Sequence, residues 1–275
     1  MATLGHARRV VRDDPVPGAL LPIEGLTFDQ ILHDLRVLPI HPGDVLEVHS
    51  SLSSLGWVAG GADTVVDALM AAVGPQGVLV MPAFPISRTL SVSESDRARG
   101  VQAKVRRLPD DWTGPTGMGA IADAFARRPN TVRGVGLHRV AAWGYDAQRH
   151  RDGLTYLLSN GGKALLLGVG IYRFTGMHYA EHVGIPPEVA AYYELPSEVQ
   201  ALYPPDMLVF GGEPPEPGWS KVLAAAEQRG MVTRGRVGAA ETLLLAAGQV
   251  VALYEQALRD DPYGLFGVER PAAGS

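Results

Sequence analysis

Lys163-Ala-Leu-Leu-Leu-Gly-Val-Gly170, running straight into Ile171-Tyr-Arg-Phe-Thr-Gly-Met-His178-Tyr-Ala-Glu181, is the stretch on which the fold turns. Its apolar run predicts a strand over Leu165 to Val169, entered through the Gly161-Gly162 turn. A strand without polar alternation is buried on both faces and belongs to a sheet covered by helices. Chemistry in such α/β proteins collects just beyond the carboxyl ends of the strands, where His178 and Glu181 fall. If Thr175 or Gly176 starts a helix, the two lie three residues apart on one face. The carboxylate can then orient the imidazole or face the same bound substrate.

Upstream, Phe28, Ile31, Leu32 and Leu35 repeat at helical spacing after Thr27, and Pro39 closes that segment. Asp44 to His49 reads as a strand that enters the polar loop Ser50 to Trp57. Gly60-Gly61-Ala-Asp63 precedes a helical pattern at Val65, Val66, Leu69, Met70 and Val73, and Gly77 to Pro82 supplies the next strand. Together these predict a βαβ unit with a right-handed crossover. The passage from Pro85 to Thr116 has little apolar periodicity and reads as a long irregular loop, a candidate lid or exposed insertion. Gly119 to Phe125 resumes a helix, Arg139 to Trp143 a strand, and Tyr156 to Leu158 another helix.

Downstream, Pro186-Pro187, Pro204-Pro205 and the stretch from Gly211 to Gly218 predict irregular, proline-rich chain over 186–218. Trp219 to Arg229 fits a helix with Val222, Leu223 and Ala226 inward, stopped by Gly230. Gly235 to Gly248 reads either as connector and strand or as the start of a helix continuing toward Leu258. No repeat separates a second domain, so residues 1–275 are taken as one unit, with a loose tail at the last five residues.

The chain is 46% hydrophobic over 275 residues, enough for a sizeable core. A net charge of -5 without a compact Lys/Arg run gives no reason to expect nucleic acid. The absence of cysteine removes thiolate catalysis and thiolate metal sites, and no dense histidine cluster suggests a metal. The amino terminus has arginines but no apolar h-region, and the longest oily stretches fall far short of a membrane span. Together these lead us to expect a cytoplasmic protein. Backbone N–H groups near Gly60 and Gly61 are a candidate anion seat at a helix start. Neither GxGxxG nor GxxxxGK[ST] is present, which sets aside nicotinamide and ATP readings. No GxSxG elbow supports Ser50 or Ser51 as a hydrolase nucleophile.

Four motifs in order now carry a resemblance: His49-Ser-Ser-Leu-Ser-Ser-Leu-Gly-Trp-Val-Ala-Gly-Gly61, Leu79-Val-Met-Pro-Ala-Phe84, Leu165-Leu-Leu-Gly-Val-Gly170 and His178-Tyr-Ala-Glu181. The chain resembles the aminoglycoside N3-acetyltransferase family over roughly residues 27 to 265. The resemblance implies an α/β fold arranged as an α/β/α sandwich, acetyl-CoA as cosubstrate, and the 3-amino group of a 2-deoxystreptamine ring as acceptor. It puts the catalytic base on His178 and makes Glu181 a histidine-supporting or substrate-contacting acid. Together with the strand-loop-helix order, it puts His49, Ser50, Ser51, Ser53, Trp57 and Gly61 on the acetyl-CoA side, with His138 as a further cofactor-side candidate.

Departures from the family pattern bear on the acceptor. Where the family reads like His-Pro-Thr-His-Ser-x-Ala-Ala-x-Gly, this chain has Val135-Gly-Leu-His138-Arg-Val-Ala-Ala-Trp-Gly144. The leading His-Pro is lost, and a serine has become Arg139. The usual Ser-Pro of the next loop is missing from Arg149 to Tyr156. Acyl transfer survives such changes more easily than aminoglycoside specificity, so an acyl-CoA-dependent N-acyltransferase acting on a different small amine is the alternative, followed by a non-catalytic small-molecule binding protein. Asp96, Asp110, Asp111, Glu181 and Glu188 are the acids that can meet a cationic acceptor, and monomer and homodimer stay equally open.

Overall fold

The structure, a computed structural model, describes residues 25–272; the arginine-bearing amino-terminal stretch and the last three residues of the expected five-residue tail lie outside them. The leading helix α1 (Phe28–Val37) starts as expected, because Thr27 caps it in a reciprocal box with Gln30. Strand β1 (Val45–Ser50), helix α2 (Gly61–Val73) and strand β2 (Val78–Pro82) form the βαβ unit, β1 and β2 pairing in parallel with Val45 opposite Val78. Then come α3 (Glu94–Ala98), β3 (Ala103–Arg106), α4 (Ala120–Ala126), β4 (Val132–Arg133), β5 (Val140–Gly144) and α5 (Thr155–Ser159). The deciding stretch is strand β6 (Lys163–Leu167), which lies parallel to β1 with His49 opposite Leu166.

The central sheet has seven strands in the order β4-β5-β2-β1-β6-β9-β8, where β8 is Val232–Val237 and β9 Ala240–Ala246. Its three inner strands β2, β1 and β6 are parallel, and every pairing outside them is antiparallel. Helices cover both faces. Leu165 and Leu167 join the core under α1, α2 and α4, while Ala164 and Leu166 join the one under α5, α8 (Gly218–Gln228) and α9 (Ala247–Asp260). That double burial explains why β6 reads as an unbroken apolar run. Each of these leucines is fully buried and stabilises the fold by roughly 1.5–3 kcal/mol.

Two regions are more ordered than their sequence suggests. The passage from 85 to 116 carries α3 and β3, and β3 pairs antiparallel with β7 (Met207–Phe210) from the proline-rich region, Ala103 opposite Phe210. That later region also carries the single turns α6 (Pro187–Ala190) and α7 (Ser197–Gln200). Asp96 fastens the two segments together. Its carboxylate accepts from Lys104 Nζ at 2.6 Å, Tyr203 Oη at 2.6 Å and Ser93 Oγ at 2.8 Å. The ambiguous stretch from 235 to 248 resolves into both readings: it is the β8–β9 hairpin, turned at Gly238, and then α9 begins at Ala247. The chain closes with α10 (Pro262–Phe266). No described helix is long and apolar enough to cross a membrane.

Candidate active site

Parallel β2, β1 and β6 release their chains at one edge of the sheet, and antiparallel β5 and β9 begin there. Five segments therefore meet at that edge: the serine loop after β1, the chain after β2, the approach to β5, the chain after β6 and the turn before β9. This is where a doubly covered sheet places its ligands.

Beyond β6 the chain makes a 3₁₀ turn at Ile171–Arg173 and then a nine-residue 3₁₀ segment, Thr175–Val183, where an ordinary helix was expected. The tighter winding favours the pair, because residues i and i+3 eclipse on a 3₁₀ helix. His178 Nδ1 lies 2.9 Å from Glu181 Oε2. An ionised carboxylate only accepts, so in the neutral imidazole Nδ1 carries the proton and Nε2 keeps its lone pair. The His178 side chain is 62% exposed, leaving that lone pair open to a ligand.

Three aromatic residues that the sequence reading did not single out complete the surroundings. The Trp219 ring meets His178 edge-on at 5.0 Å between centroids, and Trp219 in turn meets Tyr254 at 6.1 Å. The Tyr254 hydroxyl donates to Glu181 Oε1 at 3.3 Å. Burial first, and then the charge of Glu181, push the Tyr254 phenol far above its ordinary range, so it stays a donor. Tyr193 is shifted the same way by burial and by Glu181 and Glu213. Trp219 stands in the first turn of α8 and Tyr254 inside α9, and only tertiary packing brings them to the 3₁₀ segment.

The serine loop is a compact hydrogen-bonded unit. Its 3₁₀ turn, Leu52–Leu55, brings Ser51 Oγ to 3.2 Å from Ser53 Oγ, and Ser54 Oγ donates to the Gly168 carbonyl at 3.0 Å and lies 2.9 Å from Ser51 Oγ. Ser50 ends β1 opposite Leu167. The loop after β1 thus touches the exit of β6. Trp57 stands 64% exposed and covers Gly25, where an added Cβ would fall 2.3 Å from the ring. Gly60 and Gly61 take left-handed backbone at the start of α2, which has no side-chain cap. Asp63 occupies that first turn and pairs with Arg128 at 3.2 Å, so a carboxylate already answers part of the helix-end charge.

His49 lies inside rather than at the surface, 7% exposed, with Nε2 at 2.6 Å from Glu47 Oε1 and 3.4 Å from the Thr175 amide. His138 is exposed at the β5 approach, its ring 5.3 Å from that of Phe84. Three strand spacings, β5 to β2 to β1 to β6, separate that approach from the β6 exit, roughly 14 Å. His138 and His178 therefore flank the edge from opposite sides. Arg139 is buried and donates from Nε to the Ala83 carbonyl and from Nη1 to that of Asp110, both at 3.0 Å. Burial, helped by Arg133, lowers its pKa.

Of the acids expected to meet a cation, Asp96 is spent on Lys104 and Tyr203, Asp110 on Arg139, Glu188 on the Tyr263 hydroxyl at 2.9 Å, and Glu181 on His178 and Tyr254.

The sequence and the fold are similar to those of known proteins. Residues 48–259 match the family described as aminoglycoside 3-N-acetyltransferase. Aminoglycoside N(3)-acetyltransferase III of Serratia marcescens is 34% identical over 188 residues, covering 62% of this chain and 70% of its own length. The crystal structure of aminoglycoside acetyltransferase AAC(3)-IIb superposes with a TM-score of 0.65 at 25% identity, covering 89% of this chain and 99% of the other. The binary complex of AAC-IIIb with CoASH shares the fold, with a TM-score of 0.63 at 22% identity over 90% of this chain and all of the other.

Proposed function

The chain belongs to the aminoglycoside 3-N-acetyltransferase family, and from that premise we propose that it transfers the acetyl group of acetyl-CoA directly to the 3-amino group of the 2-deoxystreptamine ring of an aminoglycoside, with His178 as the general base. The observation that carries this reading is the His178–Glu181 contact at 2.9 Å, which commits Nδ1 and leaves Nε2 unpartnered at the sheet edge.

In the proposed step the acceptor nitrogen attacks the thioester carbonyl carbon while His178 Nε2 takes the proton that the nitrogen loses. The carbon–sulfur bond then breaks, and the CoA thiolate regains a proton from the imidazolium or from water. Glu181 stabilises the imidazolium formed on the way. No covalent enzyme intermediate is needed. Holding amine and thioester together supplies the rest of the rate, as positioned intramolecular reactions do.

The cosubstrate is assigned to the side of the serine loop, Trp57 and the start of α2. Support comes from the hydroxyls of Ser51, Ser53 and Ser54 gathered beside the Gly168 carbonyl, from the open space beside Gly61, and from the fold shared with the CoASH-bound AAC-IIIb. His138 is assigned to the far side of the same edge. The burial of His49 supports reading it as a prop behind this edge rather than a direct contact.

One observation favours a second reading, N-acyl transfer to a different small amine. Arg139 stands where the family pattern has serine, and it spends its guanidinium tying the chain after β2 to the loop at Asp110. A fixed cation there disfavours a polycationic acceptor. A CoA-release screen over 2-deoxystreptamine aminoglycosides and unrelated amines, with the product position assigned by NMR, separates the two. Turnover on unrelated amines alone would replace the first reading by the second, and no amine-dependent release would remove both.

A further inference from the structure

Glu47 is entirely buried in β1, yet nothing in the proposed reaction uses it. It alternates with Leu46 and Val48, which face α2, so Glu47 and His49 both point into the opposite core. There Glu47 lies between Val80 on β2 and Ala164 on β6, and His49 beside Leu166. The two side chains meet in a hydrogen bond of 2.6 Å, and Glu47 Oε2 has no partner among the described residues.

Such an arrangement is a poor way to stabilise a fold. Burying an ion pair with an unsatisfied oxygen costs more than packing the same volume with apolar groups. The surroundings are apolar enough to accept that replacement. What the pair does touch is the segment that carries His178. The Thr175 amide nitrogen, the first of the 3₁₀ segment, packs 3.4 Å from His49 Nε2, whose own hydrogen bond is taken by Glu47, and the Phe174 ring stands edge-on to His49 at 6.3 Å. Phe174, the residue before that segment, offers it no side-chain cap. His49 is therefore the group against which the segment begins, and Glu47 fixes the plane of its ring.

We infer that Glu47 and His49 are a buried positioning pair that sets the start of the Thr175–Val183 segment and so the direction of His178; the inference rests on the reading of His178 as the base. Neither residue touches substrate. The pair acts through Phe174 and Thr175, and a small error at that origin swings His178 away from its acceptor.

The test replaces the whole pair. The double variant Glu47→Leu, His49→Phe fills the space with apolar atoms, so it should fold with a melting temperature at or above that of the wild type. Its kcat should fall by about tenfold or more, since misplacements near 1 Å cost up to about 100-fold, while calorimetric affinity for acetyl-CoA stays within about twofold. Amide hydrogen exchange over 174–178 should quicken. Glu47→Gln keeps an acceptor for His49 Nε2–H and should restore most of the activity. A folded double variant with wild-type kcat and unchanged exchange overturns the proposal, as does a Glu47→Gln variant as impaired as the double. The exchange measurement does not depend on turnover, so it still reports on the pair if substitution of His178 itself proves harmless and the base assignment fails.

Discussion

Glu181 divides its carboxylate between His178 Nδ1, 2.9 Å from Oε2, and the Tyr254 hydroxyl, 3.3 Å from Oε1. Both oxygens are spent inside the protein. In the proposed reaction this favours Glu181 as an orienter of the imidazole over a seat for a cationic acceptor, the two roles its sequence position leaves open. It also links the 3₁₀ segment after β6 to α9, so that the partner of His178 is held from the rear by a helix of the core.

Substitution of His178 by Ala removes the only proposed proton acceptor at the edge. Amine-dependent CoA release should fall by about 100-fold or more, the usual scale for losing a general base. Acetyl-CoA affinity by calorimetry and the melting temperature should hardly move, because the side chain is largely exposed. A folded variant turning over near the wild-type rate defeats the assignment.

For Glu181→Gln the expected change is in kcat, by about tenfold, with little change in the acceptor KM. The amide keeps the shape but no longer favours an imidazolium. Should KM rise while kcat holds, Glu181 is a substrate contact instead. Tyr254→Phe removes one hydrogen bond from the carboxylate and should cost about 1 kcal/mol in denaturant unfolding, with a smaller fall in kcat than Glu181→Gln.

How far the sequence reaches depends on whether the signal is local. Strand β6 is legible because both of its faces are buried, which leaves an apolar run, and α1 is legible because Thr27 and Gln30 form a capping box. The His178–Glu181 pair is legible from its spacing. Strands β3 and β7 are not: each has four residues, most of them only partly buried, and each pairs with a segment about 100 residues away. Trp219 and Tyr254 escape for a related reason. Their sequence surroundings are those of amphipathic helices, and nothing in that periodicity tells a core aromatic from one that also meets His178. The depth of His49 is likewise set by the burial of Glu47 beside it, an arrangement that strand alternation would assign to an apolar pair.

Asp96 gives the stability of the β3–β7 unit a pH dependence of known sign. Hydrogen bonds from Lys104, Tyr203 and Ser93 hold its carboxyl well below the ordinary value of 3.8. Since the folded pKa lies below the unfolded one, the contribution is complete above the ordinary value and fades as pH falls through and beneath it toward the folded pKa. Asp96→Asn should therefore lower the melting temperature by a constant amount between pH 5 and 7, and the gap to the wild type should narrow only below about pH 4. A gap that closes already between pH 7 and 5 would assign the effect to another group.

Gly168, at the exit of β6, lies against the serine loop. Its φ of +70° is unfavourable for any residue with a Cβ, and an added Cβ would sit 2.5 Å from Ser54 Cβ and 3.2 Å from Ala240 Cβ. Its carbonyl meanwhile accepts the Ser54 hydroxyl, and its amide donates to Glu241 at 3.0 Å. Gly168→Ala should cost about 1–3 kcal/mol through strain and overpacking. Pushing Ser54 away should also weaken acetyl-CoA binding if the serine loop holds the cosubstrate. Ser54→Gly in the same chain relieves the clash but not the backbone strain, so the double variant should regain part of the stability lost, a favourable coupling in a double-mutant cycle on urea unfolding. Strict additivity would mean that the two residues do not press on one another. Unchanged acetyl-CoA affinity in the folded Gly168→Ala variant would move the cosubstrate away from this loop.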